Sequence, residues 1–245
     1  MNVLPGVELV GSGWLGFSLT DAHDCNVFLL HSRGDAILID AGCGLGSQQI
    51  VDHIRAAGVD PSAVSRVLLT HSHADHAAGA GELARLLGAE VFASAHTGDV
   101  VVRGDEVASG LASARVAGVY PEAVRFSEAS VVKTIDDAPI SVGDIKVRAV
   151  DTPGHAAGHL CYLADLGGTT ALFSGDLVFT RGRVAILGTP DTDVGELAAS
   201  IRRVAALEPD VLLPGHGTFA LDKAVAHLDA AITAFAMHQL PDGLL

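Results

Sequence analysis

The sequence predicts a mixed α/β chain in which two β-first halves pack face to face as one unit, and three observations carry that reading. Hydrophobic residues make up 49% of the 245 residues and charged ones 18%, enough apolar material for one sizeable core and far from a disordered composition. Short apolar runs alternate with helix-period segments between Cys25 and Ala93, and strand-like runs followed by helices return from Val131 onward. No low-complexity linker separates the two series, so a single domain over 1–245 is expected.

The elements follow in order. The runs Cys25-Asn-Val-Phe-Leu-Leu-His31 and Asp35-Ala-Ile-Leu-Ile-Asp40 flank Ser32, Arg33 and Gly34 and read as a hairpin. Gly42, Gly44 and Gly46 lead to Ser47, the expected N-cap of a helix that turns Ile50, Val51, Ile54 and Ala57 to one side and stops at Gly58. Residues 66–70 read as a buried strand, 71–76 as its outgoing loop, 79–87 as a helix ended by Gly88, and 90–93 as the next strand. Between 97 and 126, Gly104, Gly110, Gly118 and Pro121 break short helical pieces, which suits a helical insertion over one end of the sheet.

Strands over 131–135, 145–150, 160–163 and 170–173 open the second half. Asp193 can cap a helix with Glu196 at the capping-box position and Val194, Leu197, Ala198, Ile201, Val204 and Ala205 on its apolar face. Pro209 closes that helix, 210–213 reads as a last buried strand, and 221–238 supports a final helix.

Charge narrows the partners. Fifteen Lys and Arg stand against 29 Asp and Glu, a net charge of −14 that excludes a nucleic-acid sheath, because phosphate binding needs clustered cations. No run nears the roughly 18 apolar residues of a membrane span, and residues 1–10 lack the basic start of a signal peptide. Cys25, Cys43 and Cys161 are odd in number and widely spaced, as expected for small buried residues in a reducing compartment. The expectation is a cytoplasmic protein acting on a small molecule, with a homodimer left open.

Chemistry concentrates in the histidines. Six of the twelve fall in three short loops: His71, His73 and His76; His155 and His159; and His216. In Thr70-His-Ser-His-Ala-Asp-His76 a His-x-His pair puts two imidazoles on one side of an extended segment, while Asp75 and His76 point elsewhere, so one loop can feed two neighbouring metal positions. Pro153 and Gly154 bend the chain to present His155; Phe173-Ser-Gly-Asp176 and Leu213-Pro-Gly-His-Gly217 each end an apolar run on glycine and a ligand. Five histidines and two carboxylates, with His159 spare, match two zinc ions of four or five ligands sharing a carboxylate and a hydroxide.

These motifs, His-x-His-x-Asp-His at 71–76, Pro-Gly-His at 153–155, Gly-Asp at 175–176 and Gly-His at 215–216, with Asp40 closing the first hairpin, resemble the five ordered motifs of the metallo-β-lactamase superfamily. The resemblance spans about 26–217 and implies a four-layer αββα sandwich with its site at one edge. It implies that His71, His73 and His155 bind one metal, that Asp75, His76 and His216 bind a second, and that Asp176 bridges them. Asp40 would hold the histidine loop by hydrogen bonds, and His159 would sit just behind the ligands. Asp75 is the expected general acid/base beside a bridging hydroxide that two Zn2+ ions, or Fe, Mn or mixed metals, generate. Trp14 stands where the superfamily often carries a flap over the metals, and Arg181 and Arg183 could clamp a substrate carboxylate.

Within the superfamily, β-lactamases typically carry cysteine or serine where this chain has Asp176, which points away from β-lactams. Nuclease members share the ligands but suit a chain at −14 poorly. The resemblance is therefore to the glyoxalase II and lactonase group, implying hydrolysis of an ester, thioester or lactone, without the C-terminal domain that binds glutathione. The 97–126 segment is the expected seat of substrate selection. The rival is a persulfide dioxygenase with a single iron on two histidines and an aspartate, which would leave Asp75, His76 and His216 unmetallated.

Overall fold

Two β-sheets lie face to face in the computed structural model, which describes residues 1–127, 129, 132–135, 138–187 and 189–244. The first sheet runs in chain order through β1 (Asn2–Leu4), β2 (Val7–Gly11), β3 (Val27–Ser32), β4 (Asp35–Ile39), β5 (Val64–Leu68), β6 (Glu90–Ala93) and β7 (Val132–Thr134). The second holds β8 (Ile140–Val142), β9 (Ile145–Asp151), β10 (Leu160–Asp165), β11 (Thr170–Gly175) and β12 (Val211–Pro214), and β12 is its edge beside β11. The helices are α1 (Ser47–Ala56), α2 (Ala74–Ala77), α3 (Ala80–Leu87), α4 (Ala95–Arg103), α5 (Leu111–Val116), α6 (Val194–Ala205) and α7 (Ala224–Ala236).

The side-chain alternation of the strands builds four layers. In β3, Val27 and Leu29 join Ile50 and Ile54 of α1 and Leu83 and Leu87 of α3 in an outer core, whereas Phe28 and Leu30 point to the space between the sheets. In the second sheet, Tyr162 and Phe173 enter that shared space while Cys161 and Leu172 pack on Leu197, Ile201 and Leu228 of α6 and α7. Both faces of each central strand are covered, which is why these segments read as continuous apolar runs instead of alternating ones. Phe28 meets Phe173 edge to face across the sandwich, with centroids 5.3 Å apart. The result is the αββα order that the resemblance implied. Among the described residues, no helix is long and apolar enough to cross a membrane.

Three local expectations need correction. Ser47 is the first residue inside α1, Gly46 is its N-cap, and the Ser47 hydroxyl donates instead to the Gly44 carbonyl. The strand expected over 131–135 to open the second half is β7, which pairs in parallel with β6 and so finishes the first sheet; Val131 lies outside the described residues. Strand pairing is a long-range choice that a local run does not encode. The outgoing loop 71–76 also turns helical at α2, so Asp75 and His76 sit on a single helical turn.

Within 97–126 the chain changes character. Val101 of α4 is part of the core between the first sheet and its helices. Farther on, Leu111, Tyr120, Val124 and Phe126 pack with Cys43, Ala74 and Ala78, beside the turn that carries Asp75.

Candidate metal centre

The loops that bear the histidines leave one end of the sandwich, where the two sheets are tied together by backbone. Leu160 donates to the Thr70 carbonyl at 2.8 Å and Asn26 to the Gly215 carbonyl at 2.7 Å, while Gly215 donates to Gly175 at 2.8 Å within the second sheet. The Tyr162 hydroxyl adds a bond of 2.6 Å to the Leu69 carbonyl from between the sheets. These bonds set the strand ends in register, and the side chains that follow them converge.

In the first group, His73 Nδ1 lies 3.0 Å from His71 Nε2 and 3.0 Å from His155 Nε2. His155 must donate its Nδ1 proton to the Ala185 carbonyl at 2.9 Å, so its Nε2 carries a lone pair. The Thr70 hydroxyl gives its one proton to Asp40 and accepts from His71 Nδ1 at 3.0 Å, which leaves His71 Nε2 a lone pair too. His73 can donate to only one of the two, so hydrogen bonding among these rings cannot satisfy all three nitrogens. A cation can: tetrahedral zinc with nitrogens at about 2.0–2.1 Å separates its ligands by about 3.3 Å.

A second group abuts the first. His76 Nε2 and His216 Nε2 are 3.3 Å apart, and Asp75 Oδ2 lies 3.0 Å from His216 Nε2 and 3.6 Å from His76 Nε2. Asp176 faces both groups, with Oδ1 3.3 Å from His76 Nε2 and Oδ2 3.7 Å from His155 Nε2 and 3.5 Å from His216 Nε2. Asp176 Oδ1 is buried with no hydrogen-bond partner, an acceptor whose desolvation a bound cation would offset. The donor set therefore fits two adjacent metal ions.

Glycine makes this closeness feasible. A Cβ on Gly215 would come within 2.4 Å of Asp176 Oδ1 and 2.6 Å of His76 Cε1. Gly154, at φ +134°, lies so close to the Leu197 backbone that no side chain fits, which turns the chain tightly enough to deliver His155.

The electrostatics divide the groups. Burial, helped by the positive character of neighbouring rings, pulls His71 well below the ordinary histidine value, and burial brings His73 down to about 4. At His76 and His216 burial acts the same way but is outweighed: Cys25, Asp176, Asp75 and Asp40 hold His76 well above its usual value, and Asp176 and Asp75 raise His216. Asp176 and Asp75 are held below the usual carboxylate range, burial being overcome by His216 and His76. Without metal, His71 and His73 are neutral at pH 7, whereas the second group is a network of imidazolium and carboxylate.

Behind the two groups, Asp40 accepts from His76 Nδ1 at 2.8 Å and from the Thr70 N–H at 2.8 Å, its backbone in the left-handed region at φ +62°. His159 accepts the Asp176 N–H at 3.2 Å through Nε2 and turns Nδ1 to Thr152 Oγ1 at 2.9 Å. Burial keeps His159 well below the usual histidine value, in line with an acceptor role. Cys25 is enclosed with Asp40 and His76, and burial pushes its thiol up to about 12, that of an inert packing residue.

Four residues at this end carry no motif. Ala185 orients His155 through its carbonyl, Asp191 accepts from the Ala157 N–H at 3.2 Å, and Thr192 Oγ1 donates to the His155 carbonyl at 3.2 Å. Tyr120 packs beside Ala74 and Ala78, and burial, with a contribution from the Asp75 carboxylate, holds its phenol well above the ordinary value. Only the glycine breaks around Tyr120 hinted at a segment near the site.

Trp14 and the two arginines lie outside the cluster. Trp14 is 62% exposed on the loop before β3, and its neighbour Leu15 accepts the Gly217 N–H at 2.7 Å. Arg181 sits on an exposed turn against α7, its N–H donated to His227 Nδ1 at 2.8 Å. Among the described residues, neither its guanidinium nor that of Arg183 pairs with a cluster residue.

Comparison with known proteins agrees with this geometry. The chain is 29% identical over 194 residues to a Bacillus velezensis protein named as a polyketide biosynthesis zinc-dependent hydrolase, BaeB, covering 78% of this chain and 72% of that one. It is 31% identical over 189 residues to the hydroxyacylglutathione hydrolase of Acidiphilium cryptum, covering 76% and 63%. A solved metallo-beta-lactamase of Cronobacter sakazakii, a mutant in its HARLDQ motif, superposes with a TM-score of 0.68 at 25% identity over 88% of this chain and 79% of that one. The family model described as metallo-beta-lactamase superfamily matches residues 20–216, a span that takes in all seven converging side chains, and the chain belongs to that superfamily.

Proposed function

We propose that this chain is a metal-dependent hydrolase that uses a dinuclear zinc centre to cleave an ester, thioester or lactone bond of a small molecule. The observation that carries the reading is the Asp176 carboxylate, which faces His76 at 3.3 Å and His155 at 3.7 Å and so belongs to both groups at once. In the proposed centre His71, His73 and His155 would hold one ion and Asp75, His76 and His216 the other, with Asp176 available to both. Two zinc ions bound there would lower the pKa of a bridging water enough to supply hydroxide at neutral pH and would polarise the scissile carbonyl.

The chain's own side chains supply the rest. Asp75, 14% exposed, is the most open of the carboxylates and imidazoles in the second group, so it can take a proton from the attacking water and pass it to the leaving oxygen or sulfur. Asp40 and the Ala185 carbonyl keep His76 and His155 in the tautomers that present Nε2. The names of two relatives support a thioester: the hydroxyacylglutathione hydrolase above, and an atrochrysone carboxyl ACP thioesterase of Aspergillus fumigatus, 28% identical over 193 residues.

Metal analysis of the purified protein, paired with a panel of thioesters, aryl esters and lactones, tests the proposal. About two zinc per chain, with turnover that stops on chelation and returns with zinc, is the expected result. About one iron per chain, with oxygen uptake on a persulfide, would replace this reading by a mononuclear dioxygenase.

A further inference from the structure

We infer that Asn26 is a positioning residue for His216: its backbone N–H and its carboxamide together hold the glycine-flanked turn 214–217, and so set how tightly the second metal position binds. The inference rests on the proposed role of His216 as a ligand and adds a residue that lies outside the ligand motifs.

The turn needs holding because its own sequence does little to fix it. It leaves β12, the edge strand of the second sheet, whose pairing with β11 runs out at Pro214. Beyond that point two glycines flank His216, and glycine loses more backbone freedom on ordering than any other residue. Neither can give way to a stiffer residue, since Gly215 has no room for a Cβ and Gly217 sits at φ +71°. Rigidity therefore has to come from outside the turn.

Asn26 supplies it from the first sheet. The residue precedes β3, is 1% exposed, and gives its N–H to the Gly215 carbonyl at 2.7 Å. Its Nδ2 donates to the Pro214 carbonyl at 3.0 Å and to the Gly217 carbonyl at 3.2 Å, so one residue grips the turn on both sides of His216. The carboxamide is itself oriented. Ser12 donates its hydroxyl proton to Asn26 Oδ1 at 2.7 Å and accepts the Phe17 N–H at 2.8 Å, which turns Nδ2 to the two carbonyls. The loop 12–19 packs on this pair: Gly217 donates to the Leu15 carbonyl at 2.7 Å, Phe17 stacks on Phe219 with centroids 5.1 Å apart, and a Cβ on Gly16 would lie 2.7 Å from Asn26 Oδ1. Both N–H groups and the oxygen of the carboxamide are thus paired in a buried place, where an unmade bond is costly.

The test is Asn26→Ala, which keeps the backbone bond and removes the carboxamide, made both in the wild-type chain and in His216→Ala. Zinc affinity is read by competition with a chromophoric chelator on folded protein well below its melting temperature, alongside the melting temperature of the metal-free protein. In the wild-type chain the expected result is a loss of about 10-fold or more at one zinc, with the other unchanged. In His216→Ala, where the zinc expected to remain is that of His71, His73 and His155, Asn26→Ala should change nothing, because its effect runs through His216. Wild-type affinity for both ions overturns the inference, and so does an equal loss in the two backgrounds, which would make Asn26 a residue of the fold alone. Should Asn26→Ala not fold, Ser12→Ala removes just the hydroxyl that orients the carboxamide: a loss of about threefold at the same zinc is expected, and wild-type affinity there overturns the inference. A wild-type chain that binds one zinc only overturns the dinuclear reading and the inference with it.

Discussion

His76 and His216 bring their Nε2 atoms to 3.3 Å of each other across 140 positions of sequence. His76 gives its Nδ1 proton to Asp40 and presents a lone pair at Nε2, and the single Nε2 proton of a neutral His216 can serve only one of that lone pair and Asp75 Oδ2, 3.0 Å away; an extra proton or a metal ion satisfies both. The second group is thus poised between a protonated network and a metal site, and this choice shapes the predictions below.

His216→Ala removes a member of the second group while leaving His71, His73 and His155 intact. The expected outcome is a protein that keeps about one zinc per chain and loses at least about 100-fold in kcat, the upper end of what losing an outer partner costs. Metal analysis and steady-state kinetics on one sample check both halves.

Metal uptake should depend on pH unequally at the two sites. His71 and His73 sit below the ordinary histidine value and are neutral at pH 7, so the first zinc displaces no proton from them. His76 and His216 are raised and must lose protons before a second zinc binds, so affinity there falls as pH is lowered through neutrality. Calorimetric titrations in two buffers of different ionisation enthalpy count the protons; equal release by both ions would contradict the assignment.

Asp40→Asn keeps the shape but exchanges the carboxylate for an amide beside His76 and Thr70. Zinc affinity should fall about 10- to 100-fold, with a smaller loss of fold stability, because Asn cannot accept from His76, the Thr70 N–H and the Thr70 hydroxyl as the two carboxylate oxygens do. Chelator competition and thermal melting of the metal-free chain separate the two effects.

Gly215→Ala adds one methyl group 2.4 Å from Asp176 Oδ1 and 2.6 Å from His76 Cε1. The carboxylate or the ring must move, so the variant should lose zinc and activity while its far-ultraviolet circular dichroism stays that of the native chain. Normal zinc content in Gly215→Ala would show that this contact does not limit the site.

The amino-acid pattern on its own carried the local features. The hairpin of β3 and β4, the Asp193 cap that accepts from the Glu196 N–H, and the apolar face of α6 follow from spacing within a few residues. The order of the histidine and aspartate motifs pointed to the superfamily, because each motif is short enough to read as a unit. Ser47 misled because a serine after glycine suits both the N-cap and the first helical turn, and only the backbone angles at Gly46 distinguish them.

What the chain determines by itself is therefore the list of side chains that can bind a metal and the strands that present them. Tertiary structure decided their arrangement: β7 against β6, the Asp176 carboxylate between the two histidine groups, and Ala185 behind His155. The reason is physical. A ligand is named by its chemistry, which is local, but a carbonyl such as that of Ala185 is useful only through where packing carries it, and that depends on contacts far along the chain.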